Sequence, residues 1–340
     1  MVQAELILQS DSINYNKIIE SNFPFSDISN INVIAKFLNL SIAKINLFFE
    51  NQLDWEGIFF IKEVESNIHL FSGGRFGFCG FFPVMNKKSI SYYLDSIDSE
   101  MLKHKIISYS LTGTIFDYYN DTPIENGWTT SNITYYIAEV GQSVSENGLI
   151  YESFKNYKRR RDIKNGLKMA QKENMNVFLT SDFHHLDEWH KNCHLARIEE
   201  LDGRVWDYNL FAKLIKSGTG KLIAVTNKQE KIIGGCFILF SEKMIELFMM
   251  STPKKYLALG TNYLIIEYIY KYAFKRDIKN INWQASNPPD GEGAHYKRKW
   301  NAIPNTFYIF NKINGPRMEM NYIEKNFKDC YVFPFSVLKD

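Results

Sequence analysis

Residues 281–302, INWQASNPPDGEGAHYKRKWNA, constrain this chain more than any other stretch. Ile281 and Trp283 alternate with polar neighbours, as a strand end with one buried face does. Asn287-Pro288-Pro289-Asp290-Gly291 then admits neither helix nor strand, because proline carries no amide hydrogen and fixes its own backbone. Tyr296-Lys297-Arg298-Lys299-Trp300 follows, placing three cations between two aromatic rings, where an anion and a flat group can be held together. Read as extended chain, this cluster turns Lys297 and Arg298 to opposite faces. The plainer alternative is a solvated basic loop with two rings tucked into the core, and composition does not separate the two.

Charge is divided unevenly along the chain. Residues 1–150 carry 9 Lys or Arg against 17 Asp or Glu, and residues 151–340 carry 31 against 21. A basic second half suits a polyanionic ligand such as a nucleotide, coenzyme A or tRNA, although two oppositely charged halves can also simply attract each other. With 340 residues, 45% of them hydrophobic, there is material for two domains with their own cores, and long disorder is not expected. No run of about eighteen apolar residues occurs, and Met1-Val2-Gln3-Ala4-Glu5 lacks the basic start of a signal peptide. A cytoplasmic location without membrane insertion is therefore expected. Cys79, Cys193, Cys236 and Cys330 are scattered, which predicts free thiols and neither a disulfide framework nor a zinc site.

Along the first half, periodicity predicts helices over 11–19 and 31–49, then strands at Gly57–Ile61 and Ile68–Phe71 around a turn. Helix 89–102 and strands 105–111 and 132–140 follow. The glycine-rich run Ser72–Gly80 lacks the lysine and hydroxyl of a phosphate loop and reads as a turn. A long basic helix over 154–174 opens the second half, and the domain boundary is placed just before it, near Gly148. A strand at Val177–Leu179 leads to a helix capped by Ser181 or Asp182, carrying His184, His185, His190 and His194. His190 and His194 stand four apart, but the glutamate that a zincin places after its first histidine is missing, so no metal is expected. After helix 205–216 come a hairpin, Lys221–Val225 with Ile232–Phe240, and a strand at Glu246–Met250. Lys216–Lys221 is not a phosphate loop, since it precedes a strand. Strand Leu247–Ser251, the loop to Thr261 and the apolar helix Asn262–Phe274 then form a strand-to-helix turn whose amides and dipole suit a phosphate.

Several of these segments together resemble the FemAB-like branch of the GNAT N-acyltransferase superfamily. They are Tyr157–Lys164, Trp189–Arg197, Gly234-Gly235 on a strand, Leu247–Ser251, the helix start Gly260–Tyr268, and Tyr296–Ala302. Leu53-Asp54-Trp55-Glu56 and Glu139-Val140 are fainter markers of a degenerate companion domain in the first half. The resemblance implies an α/β fold of two GNAT-like domains in tandem, 1–148 and 149–340, each a mixed, mainly antiparallel sheet flanked by helices. One departure stands out, since Lys254–Thr261 retains a single glycine where the family carries a glycine-rich donor loop.

The activity so implied is N-acyl transfer from acyl-CoA to an amino group of a nucleotide-linked sugar or other bacterial cell-envelope precursor. An aminoacyl-tRNA-dependent transferase of the peptidoglycan-bridge type and a non-catalytic GNAT-like binding protein are the alternatives. Acyl-CoA would be the co-substrate, with aminoacyl-tRNA in its place under the second reading, and neither metal nor DNA is expected. Met249, Met250, Ser251, Gly260, Thr261 and Asn262 would then face the donor. Arg159, Arg160, Trp283, Asn287 and Tyr296 would line the acceptor side. Lys297 would neutralise a phosphate or the developing oxyanion. His295, Glu199, Glu200 and Asp207 are the candidate bases.

Overall fold

The computed structural model describes residues 2–8, 24, 27–72, 80–85, 87–113, 127–155, 157–203, 205–286, 291–314 and 320–327. The helix expected over 11–19, most of the glycine-rich run, Cys79, Cys330 and Asn287 lie outside the described residues. Two compact units are present. The first comprises residues 1–21, 25–134 and 305–340, and the second residues 22–24 and 135–304. The division thus falls at Thr134/Tyr135 and not near Gly148, and the chain from Asn305 onward returns to the first unit because its strand pairs there.

In the first unit β1 (Val2–Leu8), β2 (Ser41–Phe49), β3 (Gln52–Val64) and β4 (Asn67–Phe71) pair antiparallel in sequence order. The short β5 (Phe81–Pro83) adds to β3. Helix α1 (Ile28–Leu38) precedes β2, so the helix expected over 31–49 is in fact a helix followed by a strand. Asn39 ends it in the left-handed region at φ 54°, returning its amide to Ala35 O, and the apolar residues beyond it then alternate as a strand requires. Helix α2 (Leu94–Lys103) carries the chain from β4 to β6 (Ile106–Thr112), which lies parallel to β4. The C-terminal strand β15 (Ile303–Ile313) closes the sheet antiparallel to β6 through residues 309–313. Trp55, Phe59, Phe81, Tyr93, Tyr109 and Trp128 fill this core.

The second unit repeats the order. β10 (Asn176–Thr180), β11 (Gly220–Thr226), β12 (Ile232–Phe240) and β13 (Met244–Ser251) pair antiparallel in succession. Helix α8 (Thr261–Lys275) carries the chain to β14 (Asn280–Ala285), parallel to β13. The closing antiparallel strand is the end of β7 (Thr129–Glu139), through residues 135–139. Between β7 and β10 lie the short hairpin β8 (Val144–Ser145) and β9 (Gly148–Leu149) and the basic helix α3 (Tyr157–Lys172). Helices α4 (Phe183–Trp189), α5 (Ala196–Glu200) and α6 (Tyr208–Lys216) follow β10, with a π-helical turn at His190–Leu195. The remaining α-helices among the described residues are α7 (Lys254–Leu257), α9 (Glu292–Lys299) and α10 (Met320–Phe327).

Helix α3 meets α8 at an unusually close crossing. A Cβ on Gly260 would lie 2.0 Å from Gly166 O, and one on Gly166 would lie 2.3 Å from the Tyr263 ring. Only hydrogen at both positions allows that approach.

Candidate active site

The two parallel strand pairs end differently. In the first unit β4 and β6 stay paired to the last residue of β4, Phe71 opposite Ser110. The ladder even continues, because Ser72 N–H donates to Ser110 O at 2.9 Å and Thr112 N–H to Ser72 Oγ at 2.6 Å. In the second unit β13 and β14 pair only at Met244–Asn280, Ile245–Ile281 and Glu246–Asn282. β13 runs on to Ser251, held along its other edge by β12 as far as Gly235. Each strand carries a bulge just past the parting. The β12–β13 register slips by one residue at Phe248, and the β14–β7 register breaks between Asn282 and Ala285. A bulge bends its own strand, so two bulges on neighbouring strands part them, and β13 beyond Glu246 no longer pairs with β14.

Polar side chains gather where the strands part. Glu246 is fully buried, and its carboxyl accepts from Asn282 Nδ2 at 2.9 Å and from Gln284 Nε2. Asn282 Oδ1 accepts the Gln284 amide at 3.0 Å, and Gln284 takes a left-handed backbone with φ 65°. That conformation turns two carbonyls toward α9, where Lys297 Nζ donates to Gln284 O at 2.8 Å and Ala285 O at 2.6 Å. Lys297 and Arg298 both lie against the Tyr136 ring, 5.5 and 5.4 Å from its centre, and Arg298 also reaches the Tyr136 hydroxyl at 3.3 Å. Burial holds the Glu246 carboxyl well above the usual carboxylate range, against the Asn282 hydrogen bond and the Lys297 charge. Burial likewise draws Lys297 down to about 8, with Glu246 opposing.

The basic aromatic cluster is therefore helical, not extended. Residues 297 and 298 sit about 100° apart on one helix and share Tyr136. A helix satisfies the amides of this segment internally, which an extended chain outside any sheet cannot do.

The other expected residues fall into three groups. Trp283, Tyr296 and Trp300 form an aromatic core, with Trp283 6.1 Å from Tyr296 and 6.4 Å from Trp300. Arg159 donates to Arg298 O at 2.8 Å and so caps the C-terminus of α9, while Arg160 is half-buried on α3. His295 is exposed on α9 and Glu199 is exposed on α5. Glu200 accepts from Arg197 at 2.9 Å and from the Lys254 amide, and these bonds hold its carboxyl below the usual range. Asp207 accepts the Asn209 amide at 2.7 Å as the N-cap of α6. Both carboxylates thus accept backbone amides at the starts of helices, Glu200 at α7 and Asp207 at α6. Met249 and Met250 are half-buried on the parted length of β13, and the buried Ser251 meets His194 Nδ1 at 3.2 Å. His194 Nε2 accepts the Trp206 amide at 3.1 Å and His190 Nε2 donates to Trp206 O at 2.8 Å, so both imidazoles are spent on structure. Glu246, Asn282 and Gln284 were not among the candidates, although a glutamate inside the apolar run MIELFMM was a readable signal.

Coenzyme A would need a row of outward amides before α8 for its pyrophosphate. Here the Lys254 amide goes to Glu200 at 2.9 Å, the Tyr256 amide to Pro253 O at 2.9 Å, the Leu259 amide to Tyr256 O at 3.2 Å and the Gly260 amide to Leu257 O at 3.3 Å. The single glycine is used against Gly166, and the Thr261 hydroxyl donates to Tyr256 O at 2.9 Å. These four loop amides already have partners inside the protein.

No family model and no curated protein matches the sequence. Solved structures do match in fold. FemX aligns over 84% of this chain and 91% of its own at 12% identity, with a TM-score of 0.60. The C-terminal domain of a putative lysylphosphatidylglycerol synthetase from Agrobacterium fabrum aligns over 88% and 90% at 7% identity, TM-score 0.54. A tandem GNAT protein from the clavulanic acid biosynthesis pathway aligns over 92% and 99% at 5% identity, TM-score 0.50. The chain has the FemAB-like, tandem GNAT fold.

Proposed function

We propose that the second unit transfers an acyl group from an ester donor to an amine at the opening between β13 and β14. The observation that carries this reading is the parting of that strand pair after Glu246 and Asn282, with Lys297 beside it. The edge of residues 247–251 can pair with an extended donor as an added strand would. The acceptor attacks as a neutral amine. A C–N bond forms, the ester C–O bond breaks, the departing hydroxyl takes up a proton and the nitrogen loses one. Two of the three Lys297 ammonium hydrogens are held by Gln284 O and Ala285 O, and the third is available to the tetrahedral oxyanion.

The donor favoured here is an aminoacyl-tRNA. Lys158, Arg161, Lys164, Lys168 and Lys172 are all exposed, and their spacing puts them on one stripe of α3, opposite the buried Ile163, Gly166 and Ala170. Such a stripe suits a phosphodiester backbone, which brings its own polyanion and does not depend on the loop before α8. Acyl-CoA is the second reading, supported by the exposed Lys254 and Lys255 at that loop. The acceptor is an amino group of a nucleotide-linked sugar or other envelope precursor, as the family resemblance implies.

Purified protein is to be given aminoacyl-tRNA or acetyl-CoA with an amino-sugar nucleotide, and products followed by mass spectrometry. Transfer from aminoacyl-tRNA, weakening steeply with salt, is expected. Lys297→Met lowers it by about 10- to 100-fold, the loss of one charge-assisted hydrogen bond in the transition state. Transfer from neither donor, or full activity in Lys297→Met, defeats the reading.

A further inference from the structure

A cleft of about 520 Å³ lies in the second unit between α3 and α8, in the size range of ligand sites. Leu167, Met175 and Leu264 make its apolar floor, and Tyr151, from the turn before α3, adds an aromatic wall. The Lys164 ammonium lies 4.5 Å from the centre of the Tyr151 ring, so the end of an exposed, flexible side chain covers that ring. Lys168 and Gln171 also reach the rim, and both are exposed. Among the described residues no hydrogen bond or ion pair engages the side chains of Lys168 and Gln171 or the Tyr151 hydroxyl. Glu267 brings a carboxylate from the α8 side, balanced by Lys271 at 3.0 Å. An apolar floor, a π-face, unspent donors and one acceptor are what a nucleobase and its phosphate require.

The surface beside the cleft carries the same chemistry further. At about 100° per residue Tyr157, Arg161, Lys164 and Lys168 fall within about 60° of one another around α3, and so form a line along the helix. Tyr157 is 73% exposed, and a ring standing in a row of cations offers the stacking face that single-stranded nucleic acid uses. Tyr157 and Arg161 precede the cleft along α3 and the exposed Lys172 follows it, so the line outruns the cleft at both ends. A mononucleotide would use only the middle of that line, whereas a strand would use all of it. We propose that the cleft receives an unpaired base of RNA: the base enters against Tyr151, its exocyclic amine donates to Glu267, and the phosphates on either side lie along α3. Lys164 then leaves the Tyr151 ring for a phosphate, and the base takes its place. The proposal deepens the transferase reading, in which this RNA is the unpaired end of the donor tRNA, and rests on it for that identity alone.

The test is fluorescence anisotropy of the full chain with labelled hexacytidylate and hexauridylate RNA. Hexacytidylate is expected to bind the more tightly, because cytosine carries an amine for Glu267 and uracil does not, and both affinities fall as salt rises. Tyr151→Leu weakens hexacytidylate by about 5- to 100-fold, as the loss of one stacked base does, and leaves the salt dependence unchanged. Linear polyphosphate, followed by calorimetry, offers the charge without the bases, and Tyr151→Leu leaves its affinity unchanged. Gln171→Glu puts a negative charge at an exposed rim position where no packing is disturbed, and it also weakens hexacytidylate, so a Tyr151→Leu protein that does not fold still leaves a decision. RNA affinity unaffected by the folded variants, or RNA and polyphosphate weakened alike by Tyr151→Leu, overturns the proposal. Coenzyme A binding that Tyr151→Leu weakens, with no binding of either RNA, assigns the cleft to that molecule and overturns it too. If RNA occupies the cleft while neither donor is turned over, the transferase reading fails and the RNA site stands. If aminoacyl-tRNA is turned over with the same KM by Tyr151→Leu as by native protein, the site fails and the transferase reading stands.

Discussion

Gly260→Ala probes the close approach of α3 to the start of α8. Gly260 lies at φ 89°, in the left-handed region, where an added methyl costs about 1–2 kcal/mol. The new Cβ would also stand 2.0 Å from Gly166 O and 3.0 Å from its carbonyl carbon, which are backbone atoms and cannot swing aside. Forcing the two helices apart adds about 1–3 kcal/mol, as overpacking does. Together these amount to about 2–5 kcal/mol, and a unit of this size loses roughly 2–4 °C of Tm per kcal/mol, hence roughly 5–20 °C. Gly218→Ala is the control, at φ 84° with nothing within 4 Å, and carries the backbone cost alone. Scanning calorimetry on both variants reads the difference. Equal melting temperatures would show that the close approach does not exist, and with it would go the argument that this glycine is spent on packing.

Three further outcomes are expected. Burial draws His194 and His69 down to about 4 from 6.5, so the unfolded chain binds protons that the native protein refuses between those values. Stability is full above about pH 6.5 and lost as pH falls toward 4, by about 3 kcal/mol for each histidine. Urea midpoints across that window check this, and a flat profile contradicts it. Asp54 in the first unit is fully buried and accepts the Lys87 amide at 2.7 Å, the Lys88 amide at 3.0 Å and the Tyr93 hydroxyl at 2.7 Å. Asp54→Ala strands three donors and costs about 3–5 kcal/mol in denaturant unfolding. Arg159→Ala removes the cap on α9 and lowers stability by about 1–2 kcal/mol, whereas a role in acceptor binding would instead raise KM at unchanged stability.

The sequence by itself determined the local elements and their kinds. Alternation marked the hairpin at 221–240, the apolar helix before Ile281 and the strand it feeds, because side-chain periodicity is a local property. Asp182 could be read as a cap for the same reason. Where reading failed, the deciding contact was distant in sequence or set by one backbone angle. The helix expected over 31–49 is broken by Asn39 turning left-handed, a choice its neighbours do not announce. Only the tertiary structure returned residues 305–340 to the first unit, since strand β15 finds its partner β6 some two hundred residues away. The candidate carboxylates Glu200 and Asp207 were visible as charges but not as caps, because an acceptor's partner depends on which amides the fold leaves open. Lys297 was legible as a cation among rings. That its amine is held by Gln284 O and Ala285 O, and that Glu246 stands behind them, required two bulged strands to part and a helix to close over the gap.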